Sequence, residues 1–463
     1  MRTSLAGAIA AALLLGTTPV AGETLEEALV EIYIGNPELA AARARLRATD
    51  ELVPQALGGW RPTITLDAGV QGVTGQSRFA GTGIDQDTDR WSRSIAATLR
   101  QNLYAGGATT AATSRAENLV RAERANLLAL EQRLFLDGVD AYTAVWRDRA
   151  VLDLALNNEQ RLRRQLQATR DRFQVGEVAR TDVAQAEARL SRARADVEAA
   201  KANLAASVAF YQRVVGREPG RLAKPVKPAG LPRSLAEARR LAENNPQVIA
   251  ATFALAAARD DVDLSLAALL PSVDLLLRAE RAWEPQATLS WSRQASIGLT
   301  VTVPLYQGGA EHARVRAARQ TVEQRRNDLE ASYRSVQQTV AASWDRLLAA
   351  TAAIQAFRAE VRANDIALQG VQEENLVGAR TVLDVLDAEQ ELFTSRVNLV
   401  RAERDEILAA YQLKAAIGQL TVEDLGLRVE RYDPERNYRI ARERLFGISI
   451  EPPPALAPKP AAK

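Results

Sequence analysis

The chain of 463 residues has no cysteine, one methionine and one histidine, His312. Without cysteine there is no disulfide framework, no thiolate metal site, no cysteine nucleophile and no lipidated N-terminal cysteine. A single histidine leaves little room for a His-rich metal centre or a Ser-His-Asp triad, so neither a metal nor a cofactor is expected. An excess of one charge is missing too. Lys+Arg is 59 and Asp+Glu is 57, a formal net charge of +2, which argues against nucleic acid as a partner. After the N-terminal segment no apolar run approaches the length of a transmembrane helix.

What is present begins with an address. Met1-Arg2 is a short positive region, Leu5 to Leu15 is apolar, and Gly16 to Gly22 supplies small residues. The run falls short of the roughly 20 residues a spanning helix needs. It reads as a secretory signal peptide over residues 1–22, cut after Ala21 or Gly22, so the mature protein is exported.

The remainder is written twice. Thr24-Leu-Glu-Glu-Ala-Leu leads to Asn36-Pro37, and Ser234-Leu-Ala-Glu-Ala-Arg leads to Asn245-Pro246. Leu103-Tyr-Ala-Gly-Gly-Ala108 matches Leu305-Tyr-Gln-Gly-Gly-Ala310 at an offset of 202 residues. Val175-Gly176, Asp182-Val183 and Ala186-Glu187 match Val377-Gly378, Asp384-Val385 and Ala388-Glu389 at the same offset. The expected plan is a first repeat over 23–216, a Pro/Gly-rich linker over 217–233 and a second repeat over 234–418. A C-terminal segment over 419–463 ends in a disordered Pro/Ala tail.

Each repeat has the order helix, two strands, very long helix, sharp turn, helix. From Ala108 to Arg172 there is no proline and one glycine, Gly138; from Ala310 to Asn375 again no proline and one glycine, Gly370. At 1.5 Å per residue each stretch is a rod on the order of 100 Å. Phe135, Val139, Tyr142 and Trp146 step by four, three and four along a coiled-coil seam. The opening helices (Thr24 to about Val53; Ser234 to Leu270) and the closing ones (Thr181 to Val215; Thr381 to Ile417) are each about half a rod. Stacked end to end, a pair of them matches one rod.

Strand pairs are expected at about 61–103 and 272–305. Ile64, Leu66, Ala68 and Val70 alternate with Thr65, Asp67 and Gly69, and Ile297, Leu299, Val301 and Val303 alternate with polar or small residues. Period-two alternation over about ten residues fits a membrane barrel strand. The segments Thr74 to Arg90 and Trp283 to Arg293 read as polar loops. Trp60, Trp91, Trp283 and Trp291 are assigned to strand ends or those loops, as interface aromatics. Four strands cannot close a barrel, and an open edge in lipid leaves unpaired backbone groups, so closure requires further copies of the chain.

These landmarks resemble the TolC-like outer membrane efflux and secretion channel family over essentially the whole mature chain. The most specific is Val377-Gly-Ala-Arg-Thr-Val-Leu-Asp-Val-Leu-Asp-Ala388, similar to the family's periplasmic tip. The resemblance implies a mainly α fold with a transmembrane β part. In it a homotrimer closes a 12-stranded β-barrel continued by a long 12-helix α-barrel, two structural repeats per chain. It implies a passive duct in the outer membrane, in contact with its lipid and extending into the periplasm. Its partners would be a periplasmic adaptor protein and an inner-membrane pump, ABC or proton-driven.

By the same resemblance Asp384 and Asp387 correspond to two constricting aspartate rings, and Thr181, Asp182 and Arg380 to polar links that latch the inner helices. Val175, Gly176, Val377 and Gly378, in tip turns at 173–181 and 375–381, become adaptor contacts. The family often has tyrosine where Asn375 stands. Physically, carboxylates three apart share a helix face, and three copies give a cation-attracting ring. Thr381-Val-Leu-Asp384 also fits a capping box. Leu-Tyr-x-Gly-Gly is no phosphate loop, because no Lys-Ser/Thr follows it. Rival readings are a periplasmic adaptor with a long helical hairpin, which should show one hairpin between compact β-domains, and an exported hydrolase, for which no catalytic motif is present.

Overall fold

The computed structural model describes residues 22–78, 81, 83, 85–286, 289–450, 452 and 456. The signal-peptide assignment up to Ala21 and most of the Pro/Ala tail lie outside the described residues. In chain order the elements are α1 (Leu25–Gly35), α2 (Pro37–Asp50), α3 (Leu52–Leu57), β1 (Thr63–Arg78), β2 (Asp85–Ala105), α4 (Ala108–Gln174) and α5 (Arg180–Val215). The second half follows with α6 (Leu235–Leu241), α7 (Pro246–Ala267), β3 (Ser272–Gln286), β4 (Leu289–Thr302), α8 (Ala310–Leu376), α9 (Val382–Ala416) and α10 (Arg436–Glu443). Among the described residues no helix is long and apolar enough to cross a membrane.

α4 and α8 each run for 67 residues without a break, about 100 Å of helix. Gly138 serves packing: a Cβ there would come within 2.3 Å of Ile32 Cδ1 on α1. Beside these rods the shorter helices stack in line, and the joints are made by the two Asn-Pro pairs. Asn36 Oδ1 accepts the Glu38 N–H (2.9 Å), capping α2, while its Nδ2 donates to the Val214 carbonyl (3.2 Å) in the last turn of α5. Asn245 repeats this, capping α7 through the Gln247 N–H (2.9 Å) and donating to the Ala416 carbonyl (2.9 Å) of α9. Pro37 and Pro246 take first-turn positions, where no N–H is needed.

The same pairs correct one expectation. The opening segments are not continuous helices: Asn36 and Asn245 adopt extended backbone (ψ 123° and 133°) and divide them. The residue before proline is pushed out of the helical region by the ring.

The strands form one antiparallel sheet in the order β1-β2-β3-β4. An apolar row crosses it as Ile64, Leu99, Leu277 and Ile297. On the flanking strands this face is bare, with Ile64 72% and Ile297 73% exposed. Left-handed glycines turn the chain from sheet into rod: Gly106 and Gly107 (φ 60° and 86°) before α4, Gly308 and Gly309 (φ 65° and 79°) before α8. At Gly106 a Cβ would also meet the Ala267 carbonyl oxygen at 2.6 Å.

A second expectation fails here. Most of Thr74 to Arg90 and of Trp283 to Arg293 is strand, and Trp91, Trp283 and Trp291 lie within β2, β3 and β4. Trp283 faces Trp291, and Trp91 pairs with Gly72, where a Cβ would sit 3.4 Å from the indole. The outer parts of β1 and β2, Thr74 to Arg78 and Asp85 to Arg90, carry only polar residues and glycine, so alternation disappears there although the backbone ladder continues. In β3 and β4 the apolar residues are reduced to Trp283, Leu289 and Trp291, too short a run to read as strand.

The apolar core lies midway along the rods, where the fully buried side chains Phe135, Tyr142, Tyr211, Leu29 and Ile32 meet. The segment after Gly418 closes over it. The Val422 N–H donates to Glu131 (3.1 Å), the Tyr432 N–H to the Tyr33 hydroxyl (3.0 Å), and Asn437 to Asp50 (2.8 Å). Burial pushes the Glu131 carboxyl up to about 7 and that of Asp50 up to about 6.

Candidate functional site

The rods end away from the sheet in two similar turns. α4 closes with Gly176 at φ 81°, its N–H donating to the Phe173 carbonyl (3.0 Å) and the Glu177 N–H to the Arg172 carbonyl (2.9 Å). α8 closes with Gly378 at φ 79°, the matching bonds reaching Asn375 (3.1 Å) and Glu374 (2.9 Å). Each glycine takes the left-handed position that ends a helix. Val175 and Val377 are 72% and 80% exposed, so the turns present apolar side chains to solvent.

The next helices begin differently. Thr381 and Asp384 complete a capping box: the Thr381 N–H donates to Asp384 Oδ2 (2.9 Å) and the Asp384 N–H to Thr381 Oγ1 (3.2 Å), as the spacing predicts. At α5 the Asp182 carboxylate accepts the Ala179 N–H (3.0 Å), but alanine offers no side-chain acceptor in return. The Thr381 N–H and hydroxyl hold the Asp384 carboxyl below the usual aspartate range, with Arg380 adding to the effect.

Below the turns, Leu162 and Leu166 of α4, Ala186, Leu190 and Ala193 of α5, and Val382 and Leu386 of α9 form a small core. Asp384 and Asp387 lie on the face of α9 opposite the buried Val382, Val385 and Leu386. They share a face yet have different partners. Asp384 is engaged by Thr381, whereas Asp387 is ion-paired with Arg189 of α5.

Within one chain the latch residues stand apart. Arg380 Nε binds Glu374 Oε2 (2.8 Å), and neither Thr181 nor Asp182 is its partner. The two turns are tied instead by Arg172, whose Nη1 donates to Asn375 Oδ1 (3.3 Å), while Asn375 Nδ2 donates to the Arg380 carbonyl (2.8 Å). Arg189, Arg172 and Glu374 escaped the sequence reading. Arg189 borders the buried stripe Ala186, Leu190, Ala193, which marks it as a rim residue, but no local pattern encodes a partner 198 residues away.

The comparisons with known proteins agree with this architecture. The model of the family described as "Outer membrane efflux protein" matches residues 28–217 and 238–419. The outer membrane efflux protein BepC of Brucella suis biovar 1 is 36% identical over 448 residues, 95% of this chain and 96% of that protein. The outer membrane protein TolC of Vibrio cholerae serotype O1 is 29% identical over 438 residues, 91% of this chain and 98% of that protein. The crystal structure of the Campylobacter jejuni CmeC outer membrane channel shares the fold at a TM-score of 0.78, with 14% identity, covering 90% of this chain and 89% of that one.

Proposed function

Because the chain belongs to the outer membrane efflux protein family, we propose that it is one third of a passive exit duct of a tripartite efflux or type I protein secretion system. The protein is located in the outer membrane, and its family is one of channels rather than enzymes. The observation that carries the reading is a four-stranded sheet with a bare apolar face, open at β1 and β4, and continuous with two 67-residue helices. Each unpaired backbone group at a lipid-exposed edge costs several kcal/mol, so the edges must meet other chains.

Three chains give 12 strands, and four helical columns per chain give a 12-helix barrel: α4, α8, α5 stacked on α2–α3, and α9 stacked on α7. In this assembly the mature chain comprises the repeats 23–216 and 234–418, the linker 217–233 and the C-terminal segment 419–463, after removal of the signal 1–22. Asp384 and Asp387 form the narrow, cation-attracting end of the duct. Arg380, Thr181 and Asp182 act as latch residues between neighbouring helices. The exposed turns at Val175-Gly176 and Val377-Gly378 take the adaptor protein, whose docking with an inner-membrane pump opens the end. An adaptor role for this chain itself is disfavoured by its two hairpins and membrane-like sheet.

The molar mass of the mature protein in detergent tests the reading. Three chains per particle are expected. A protein that stays soluble and monomeric without detergent would overturn it.

A further inference from the structure

We propose that Arg189 sets the charge of the constriction by neutralising Asp387, leaving Asp384 as the aspartate that attracts cations. This rests on the reading of Asp384 and Asp387 as pore-lining residues. Three observations carry it. The Arg189 guanidinium is ion-paired with Asp387, and both side chains keep contact with solvent, at 31% and 55% exposure. Among the described residues no cation is in contact with Asp384: its carboxylate is met by the Thr381 N–H and hydroxyl (2.9 and 2.8 Å), which lend partial charge only. Arg380, the cation nearest in sequence, is ion-paired with Glu374 (2.8 Å) and acts on Asp384 only at a distance, as the smallest of the influences that lower its carboxyl.

An exposed ion pair adds little to stability, but in a narrow ring its charge balance decides which ions enter. Arginine stays protonated at any working pH, so the compensation is constant. Three chains then bring six carboxylates and three guanidinium groups to one ring, half the negative charge that the aspartates alone imply. Arg189 is thus a selectivity-determining residue, provided by α5 rather than by the helix that carries the aspartates.

The test is the reversal potential of single trimers in planar bilayers across a KCl gradient. Arg189→Gln should raise the K+/Cl− permeability ratio roughly fivefold, for three unit charges within about one Debye length of the axis. Arg189→Lys should leave the ratio unchanged. Asp384→Asn and Asp387→Asn should each lower it, the second by exposing uncompensated arginines, and Arg189→Gln/Asp387→Asn should restore the wild-type value. Should Arg189→Gln assemble poorly, the double variant against Asp387→Asn carries the same comparison. If both aspartate variants lower selectivity while Arg189→Gln changes nothing, or the double variant equals Asp387→Asn, Arg189 does not compensate. If both aspartate variants are silent, the constriction reading itself falls and this proposal with it.

Discussion

The Asp384 carboxylate accepts the Thr381 N–H and hydroxyl and so starts α9; in the proposed assembly the same group also faces the duct. Substitution separates the two roles. Asp384→Asn retains an acceptor for the Thr381 N–H and should keep amide exchange slow over 381–384; Asp384→Ala should speed it. Both should reduce cation selectivity, and equal exchange in the two variants would refute the capping role. Glu131 makes a different case. It is 7% exposed and accepts the Val422 N–H, and burial raises its carboxyl from 4.5 to about 7. Between those values the folded site holds a proton that the unfolded chain has released. Stability therefore falls as pH rises through that window, by about 3 kcal/mol in full, and is flat above it. Opening of the Val422 to Leu427 segment, measured by hydrogen exchange corrected for intrinsic rates, should be greater at pH 8 than at pH 5. In Glu131→Gln the pH dependence should vanish, and an unchanged dependence would assign it elsewhere.

At the scale of elements, each Asn-Pro joint uses one amide for two helices. The oxygen of Asn245 caps α7 and its nitrogen reaches the Ala416 carbonyl of α9, with the side chain buried. Asn245→Ala should cost about 2 kcal/mol, from the lost cap and the unpaired carbonyl. Asn245→Asp should cost at least as much, since a carboxylate then faces a carbonyl oxygen. Thermal unfolding in detergent reads both, and full rescue by aspartate would leave capping as the sole role. The joints also mark where sequence reading stops. Rod lengths were legible because proline is absent from both rods, and the Thr381 cap because it depends on a neighbour three residues away. The Asn-Pro pairs were visible as landmarks, but their second bond spans 178 and 171 residues. The outer strand segments stayed hidden because period-two alternation records only the part of a strand with one apolar face.

At the scale of the molecule, β1 leaves the helical part and β4 returns to it, so the β1 of one chain and the β4 of its neighbour would run antiparallel. Every strand in a closed ring of three chains would then have antiparallel partners on both sides, the arrangement that removes the edges. The absence of cysteine makes this testable without background. Thr65 and Ser296 lie at one level of the sheet, through Thr98 and Arg278, but three strand spacings of about 4.8 Å separate them. That is beyond the reach of about 7 Å for a disulfide, so cysteines on β1 and β4 of the same chain cannot join each other. Facing positions on adjacent antiparallel strands are about 4.5–5.5 Å apart and can be bridged. Thr65→Cys combined in turn with Ser292→Cys, Gln294→Cys, Ser296→Cys or Thr300→Cys scans the register that barrel shear imposes between chains. Oxidation should give, at one or two of these positions, a ladder on denaturing gels that stops at three linked chains. A ladder that continues past three, one that stops at two, or no linkage at any position would each exclude closure by three copies.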